Sequence, residues 1–248
     1  MYTFTNDFIG YPEDHRDELF THGDSLERYN DSLSTAPKDW YYRDNPVSYK
    51  RNNLGHRCKN IEEIDLNNYF LVAGCSHGEG IGLHLEDTYP YLLSKELECD
   101  YYNLSLGGSG VDLLSYNLLT WLAKIKQKPK FLILQIPNIL RYSIVEDPYV
   151  LVQGSWTTQA DKSEFLILGD QIKYFSSHCM LSRKLIKNHI SSPVIDIFSD
   201  SSNISNIDDP TLSVRAYEID LARDKMHMGK SSNKNVFNKI LEKVQPLL

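Results

Sequence analysis

Nowhere do 18 apolar residues run consecutively, and the opening MYTFTNDFIGYPEDH has no basic stretch followed by an apolar one. Neither a membrane-spanning helix nor a secretory leader is expected, so the chain reads as cytoplasmic, with no membrane partner. Cysteine is scarce. Cys58, Cys75, Cys99 and Cys179 lie far apart and form no C-x-x-C pair, which argues against a zinc knuckle and a disulfide framework and suits a reducing compartment. Metal-ligand spacing of the H-E-x-x-H kind is missing, and no metal or cofactor is expected. Basic residues are outnumbered 26 to 33, a net charge of −7, so a broad basic face for nucleic acid is not expected either.

What is present is ordinary globular material. Hydrophobic residues make up 41% and charged residues 24%, which excludes a disordered tail and a collagen-like repeat. Sixteen tyrosines are the one bias, and they suit either a half-buried core position or a polar ligand groove. The length allows one large domain or one domain with an appendage. Residues 1–66 are polar, with little sustained periodicity, and are expected to form an N-terminal extension or arm that wraps the remainder, 67–248. Trp40, Tyr41, Tyr42 and Arg43 within it suit a substrate cleft or an oligomer interface, so a homo-oligomer stays open.

From Asn67 the texture changes. NNYFLVAG reads as a buried parallel strand, Leu83 to Leu97 as a helix with a turn or kink at Pro90, and YYNLSL as a second strand. GGSG, the helical DLLSYNLLTWLAKIK and the strand FLILQIP follow. This alternation predicts parallel β-α-β units. Beyond Asn138 the pattern loosens into an excursion over the strand ends. FLILGDQIKYF reads as a hairpin around Gly169-Asp170, MLSRKLIKNHI as a helix, PVIDIF as a strand and SDSSNISNIDDP as a loop. SSNKNVFNKILEKVQPLL reads as a C-terminal helix capped by its serines.

Gly74-Cys75-Ser76-His77-Gly78-Glu79-Gly80 falls where the first strand hands over to its helix, the edge at which open α/β sheets bind ligands. A serine there can present its hydroxyl while its own N–H helps to hold an oxyanion; a plain turn and helix cap is the alternative. A nucleophilic serine needs a base and the base an orienting group. Asp224-Lys225-Met226-His227 offers both, since three-residue spacing lets a carboxylate reach one ring nitrogen and leaves the other free. His77 is less suitable, because adjacent side chains diverge. Gly107-Gly108-Ser109-Gly110 and Asn138, each just past a strand, offer a backbone N–H and a side-chain amide as further donors, or else a turn and a cap.

With Ser76, Gly108, Asn138 and the Asp224/His227 pair in that order, the chain resembles the SGNH (GDSL-like) hydrolases over residues 67–245, in a divergent G-C-S branch. The resemblance implies a three-layer α/β/α, flavodoxin-like fold with a central parallel sheet and a serine-esterase mechanism. It implies Ser76, Asp224 and His227 as catalytic residues, and an oxyanion hole made of the Ser76 and Gly108 N–H groups and the Asn138 side chain. Cys75 stands where the family has aspartate, Pro137 where glycine is usual, and Ile139 where aspartate often follows the asparagine. Cys75 reads as a small buried residue rather than a second nucleophile.

The expected function is hydrolysis of a small acyl ester, such as O-acetyl on a polar or carbohydrate substrate, through an acyl-serine. A non-catalytic binding or assembly module on the same fold is the alternative. Nucleotide binding at Gly78-x-Gly80-x-Gly82 is disfavoured, because the last interval is one residue short of G-x-G-x-x-G and no Walker lysine follows.

Overall fold

The apolar runs pair into one parallel sheet. A computed structural model describes residues 1–138, 141–154, 171–199 and 212–248. Its central sheet contains β5 (Tyr69–Ala73), β6 (Asp100–Asn103), β7 (Leu132–Gln135), β10 (Val194–Ser199) and β11 (Ser213–Ala216), in the order β11-β10-β7-β5-β6. All four pairings are parallel. Numbered along the sheet, this is the 2-1-3-4-5 order of flavodoxin-like folds, with its switch point between β5 and β7. The fold is therefore α/β as expected. β11 was not legible: SVRA is too short and polar to register as an apolar run.

Side chains alternate across β5 and so build two cores. Tyr69, Leu71 and Ala73 meet Leu114, Leu118 and Trp121 of the helix Val111–Lys124 and Ile186 of the helix Gln171–His189. Phe70 and Val72 face the other way, onto Tyr89 and Leu93 of the helix Tyr89–Glu96 and Phe237 and Ile240 of the helix Lys230–Val244. Each such fully buried large side chain contributes about 1.5–3 kcal/mol. Helices on both faces of the sheet make the three layers.

Several local expectations change. Pro90 neither turns nor kinks the chain; it sits in the first turn of Tyr89–Glu96, where its missing N–H costs no helical hydrogen bond. Gly169-Asp170 lies outside the described residues, but Gln171–Phe175, the expected second arm of a hairpin, belongs to the helix Gln171–His189. A short apolar run does not by itself distinguish strand from helix, and here the helical frame continues into Cys179 and Ile186 on the sheet. The C-terminal helix is not capped by its serines. Its N-cap is Gly229, and the N–H groups of Ser231 and Ser232 donate to the Asp220 carboxylate at 2.9 and 2.8 Å, a negative charge well placed at a helix start. Ile139 and most of the loop 199–210 lie outside the described residues.

The described residues of the excursion after Asn138 stay out of the parallel sheet. Its described part is a hairpin, β8 (Tyr142–Glu146) and β9 (Tyr149–Gln153), and β9 pairs antiparallel with β1 (Tyr2–Thr5), itself paired with β2 (Phe8–Gly10). Residues 1–66 also contain the helix Leu26–Thr35, capped by the Ser25 hydroxyl, and the two-residue strands β3 (Asp17–Glu18) and β4 (Tyr49–Lys50). Their buried side chains join those of later segments. Tyr2, Ile9 and Tyr11 pack with Leu106, Leu113 and Val150, while Tyr42, Val47 and Tyr49 pack with Ile81, Leu83 and Ala222. Among the described residues no helix is long and apolar enough to cross a membrane.

His56 ties this segment to the sheet. Fully buried, it donates from Nε2 to the Ile9 carbonyl at 3.1 Å and accepts at Nδ1 from the Tyr102 hydroxyl at 2.9 Å. Burial pushes its pKa down to about 4. The folded value lies below the unfolded one of about 6.5, so the unfolded chain binds the proton first as pH falls. Stability contributed by neutral His56 should be complete above about pH 6.5 and decline by roughly 1.4 kcal/mol per pH unit toward pH 4. Urea midpoints between pH 7 and pH 4.5 should show a slope that His56→Gln flattens.

Candidate active site

The site begins with a strand that stops short. A Cβ on Gly74, directly after β5, would lie 2.7 Å from Gln135 Oε1 and 2.8 Å from its Cβ, so close packing against β7 demands glycine there. The chain then makes a single helical turn, Ser76–Glu79. Ser76 opens it, and its N–H therefore has no intrahelical acceptor. The Ser76 residue is 5% exposed and Cys75 is buried beside it, as expected of a small packing residue.

Gly107 and Gly108 approach from the end of β6. Gly108 has φ +74°, a backbone region that favours glycine. Three hydrogen bonds hold this loop against the Ser76 turn and a fourth ties it to Tyr2 of β1. The Gly107 N–H donates to Glu79 Oε2 at 2.7 Å, the Tyr2 hydroxyl donates to the Gly107 carbonyl, and the Ser109 hydroxyl and Leu106 N–H both donate to the Gly74 carbonyl. Glu79 is 1% exposed and also receives Arg51 at 3.2 Å and the Tyr11 hydroxyl at 3.3 Å. Arg57, fully buried, donates to the carbonyls of Gly80 and Leu83. Thus Arg51, Arg57, Tyr2 and Tyr11, all from the first 66 residues, fix the loops that carry Ser76 and Gly108.

Asp224 and His227 occupy one tight turn after β11. The Asp224 carboxylate accepts the N–H groups of Met226 and His227, each at 3.1 Å, and the His227 ring at Nδ1. Burial alone would push the Asp224 carboxyl up; the His227 ring and the two N–H donors outweigh it and hold the pKa below its ordinary value. With Nδ1 committed, Nε2 is the nitrogen left for other work. The neighbouring Arg223 is anchored to buried Asp24 of the first segment, with Nη2 to Oδ2 at 2.6 Å, and its N–H donates to the Gly82 carbonyl at 3.0 Å. The His227 turn and the Ser76 loop are thereby fastened to each other.

Ser76, Gly107, Gly108 and His227 line one cavity of about 320 Å³, together with His22, Gly23, Arg28, Arg141, Val152 and Met226. No direct hydrogen bond joins the Ser76 hydroxyl to His227 among the described residues. Catalytic hydrogen bonds often tighten only once substrate is bound. His77 packs edge-on against His227 with ring centroids 5.0 Å apart, and burial, then the charges of His227 and Arg141, drives its pKa down to about 3. It is a half-buried neutral neighbour of His227.

The structure brings Ser76, Gly108, Asp224 and His227 together and treats Asn138 differently. Asn138 is half-buried after β7, its carbonyl accepts the Arg141 N–H at 3.2 Å, and it is not among the residues lining the cavity, whereas Arg141 is. Trp40 to Arg43 do not line it either; Trp40 packs against Tyr29 and Tyr42, and Arg43 donates to the Leu33 and Ala36 carbonyls. The sequence reading missed His22, Arg28 and Arg141 at the cavity, and Glu79, Arg51 and the Asp24–Arg223 pair behind it. Only Glu79 carried a local signal, inside the motif itself. No group of three or more His, Cys, Asp or Glu side chains suited to a metal occurs among the described residues.

Fold and site together define an α/β protein with a serine, an aspartate-held histidine and a glycine loop at the carboxyl edge of its sheet. No protein-family model matches the chain, and no curated protein sequence does. Among solved structures it is similar to the psychrotrophic esterase EstA from Pseudoalteromonas sp., at 12% identity and a TM-score of 0.48 over 72% of this chain and 97% of that one. It is also similar to a member of the lipolytic protein G-D-S-L family from Veillonella parvula, at 10% identity and a TM-score of 0.43 over 70% and 96%. A family two carbohydrate esterase from Clostridium thermocellum shows 9% identity and a TM-score of 0.46 over 74% and 64%.

Proposed function

We propose that the protein is a serine hydrolase that cleaves a small acyl ester. The observation that carries this reading is that Ser76, Gly108 and His227 line one cavity, with His227 held at Nδ1 by Asp224. In the proposed reaction His227 Nε2 takes the proton of the Ser76 hydroxyl as its oxygen attacks the ester carbonyl. The Ser76 and Gly108 N–H groups stabilise the oxyanion, with the Asn138 amide as a third donor once substrate is bound. The protonated imidazole gives its proton to the leaving alcohol. Water, activated by the same nitrogen, then releases the acid and restores the serine.

A cavity of about 320 Å³ is at the small end of ligand sites and supports a short acyl group. A neighbouring hollow of about 530 Å³ shares His22 and is lined by Tyr11, Phe20, Tyr149, Asp14 and Glu18. Aromatic faces with carboxylate acceptors suit a hydroxyl-rich alcohol such as a carbohydrate. On this reading residues 1–66 are part of the site rather than a detachable arm.

A fluorophosphonate probe tests the nucleophile. It should label the wild-type protein and leave Ser76→Ala unlabelled, and equal labelling of both would sink the assignment.

A further inference from the structure

Two glycines in a row leave the shape of a turn open. The Ser109 N–H closes a turn on the Leu106 carbonyl at 3.2 Å, with Gly107 and Gly108 at its centre. Gly108 has φ +74° and Gly107 lies outside the left-handed region, which makes the turn type II. Types I and II differ by a half-rotation of the central peptide, and with glycine on both sides of it the chain can adopt either. In the structure the Gly107 carbonyl accepts the Tyr2 hydroxyl. The 107–108 peptide is trans, so the Gly108 N–H points the opposite way, and it has no acceptor among the described residues. Gly108 lines the cavity with Ser76, whereas Tyr2 is 3% exposed and stands behind it.

We infer that Tyr2 is a positioning residue of the oxyanion hole, its hydroxyl holding the 107–108 peptide so that the Gly108 N–H faces the Ser76 side of the cavity. The inference rests on the esterase reading of this site. Tyr2 suits the task because it is itself fixed: it pairs with Val150 of β9, and its ring packs edge-on against Tyr11 with centroids 4.9 Å apart. Burial, then the neighbouring Tyr11 and Glu79, push the phenol well above its usual range, so it stays protonated and able to donate. Glu79 fixes the preceding peptide through the Gly107 N–H at 2.7 Å, and Tyr2 fixes the next one. A hydrogen bond on the carbonyl also polarises the peptide and strengthens the N–H at its other end. Rotated into a type I turn, the same peptide would offer a developing oxyanion a carbonyl lone pair in place of a donor.

Tyr2→Phe removes the hydroxyl and keeps the ring. With 4-nitrophenyl acetate, kcat per fluorophosphonate-titrated site should fall about tenfold or more, short of the roughly 10²–10³ that losing a whole oxyanion donor costs. KM should hold, because the hole grips the oxyanion rather than the ground-state carbonyl. Affinity for trifluoroacetone, whose carbonyl Ser76 would convert to a hemiketal oxyanion, should fall by the same factor as kcat/KM. Tyr69→Phe removes the hydroxyl of another fully buried tyrosine, one that donates to the Gln127 carbonyl at 2.7 Å, and should leave all three values unchanged. Gly107-Gly108 is the only Gly-Gly pair in the sequence, so protein labelled with ¹³C-carbonyl, ¹⁵N glycine gives a single carbonyl-to-amide cross-peak by nuclear magnetic resonance. That peak should move or broaden in Tyr2→Phe and stay in place in Tyr69→Phe.

A Tyr2→Phe enzyme equal to wild type per titrated site, or one whose kcat falls while its trifluoroacetone affinity holds, overturns the inference and keeps the esterase. A cross-peak unmoved by Tyr2→Phe does the same. Wild-type protein that takes no fluorophosphonate and turns over no ester removes the esterase reading, and the oxyanion role of Tyr2 with it.

Discussion

Replacing Ser76 with alanine is expected to lower kcat for a small ester such as 4-nitrophenyl acetate by about 10⁴-fold or more, and His227→Ala by a similar factor. The double variant should be no worse than either single one. A hydroxyl without its base and a base without its hydroxyl fail at the same step, so their losses do not add. Asp224→Asn should retain the fold and still lose roughly 10³–10⁴-fold, because the amide no longer favours the tautomer with hydrogen on Nδ1 and cannot stabilise the imidazolium. KM should change far less than kcat in all three, since the groups act on the transition state rather than on the bound ester. Additive losses, or a Ser76→Ala variant within tenfold of wild type, would place the nucleophile elsewhere.

The second large effect is on stability, and it arises far from any motif. Asp24→Ala should destabilise the protein by about 3–5 kcal/mol, read from the urea midpoint, because it strands the Arg223 guanidinium in a site where the side chain is 1% exposed. The pair is well made. Arg223 Nε reaches both carboxylate oxygens at 3.1 and 2.9 Å, Nη2 reaches one at 2.6 Å, and the Tyr49 hydroxyl donates to the same carboxylate. Arg223 also donates to the carbonyls of Leu19 and Val47. Replacing both charges, as in Asp24→Leu with Arg223→Met, should cost clearly less than the single change, since no buried charge is left alone. Activity of the folded Asp24→Ala fraction should fall too, because Arg223 adjoins Asp224 and steadies the turn that presents His227. A loss under about 1 kcal/mol would show that Arg223 finds another partner or water.

These two predictions correspond to two kinds of information. The residues of the first were legible as letters: a serine after a strand and glycine, and a D-x-x-H turn before a helix. Those of the second were not. Asp24 and Arg223 are 199 positions apart, and nothing in the surrounding FTHGDS marks one aspartate as the counter-ion of a distant arginine. The same holds for Arg51 and Glu79. The tyrosine excess was readable as a number but not as a purpose; in the structure Tyr2, Tyr11, Tyr49 and Tyr102 send hydroxyls to Gly107, Glu79, Asp24 and His56. They are amphipathic core residues that close polar networks around the site.

Local pattern was enough to establish the alternation of strand and helix, four of the five parallel strands and the positions of Ser76, Gly108, Asp224 and His227, because periodicity and turn chemistry act over a few residues. Only the tertiary structure decided that Gln171–Phe175 is helical, that Asp220 caps the last helix, and that Arg141 rather than Asn138 lines the cavity. It alone joined residues 1–66 to the site. Burying a polar side chain is tolerable only opposite a matching partner, and folding selects that partner in space, not along the chain.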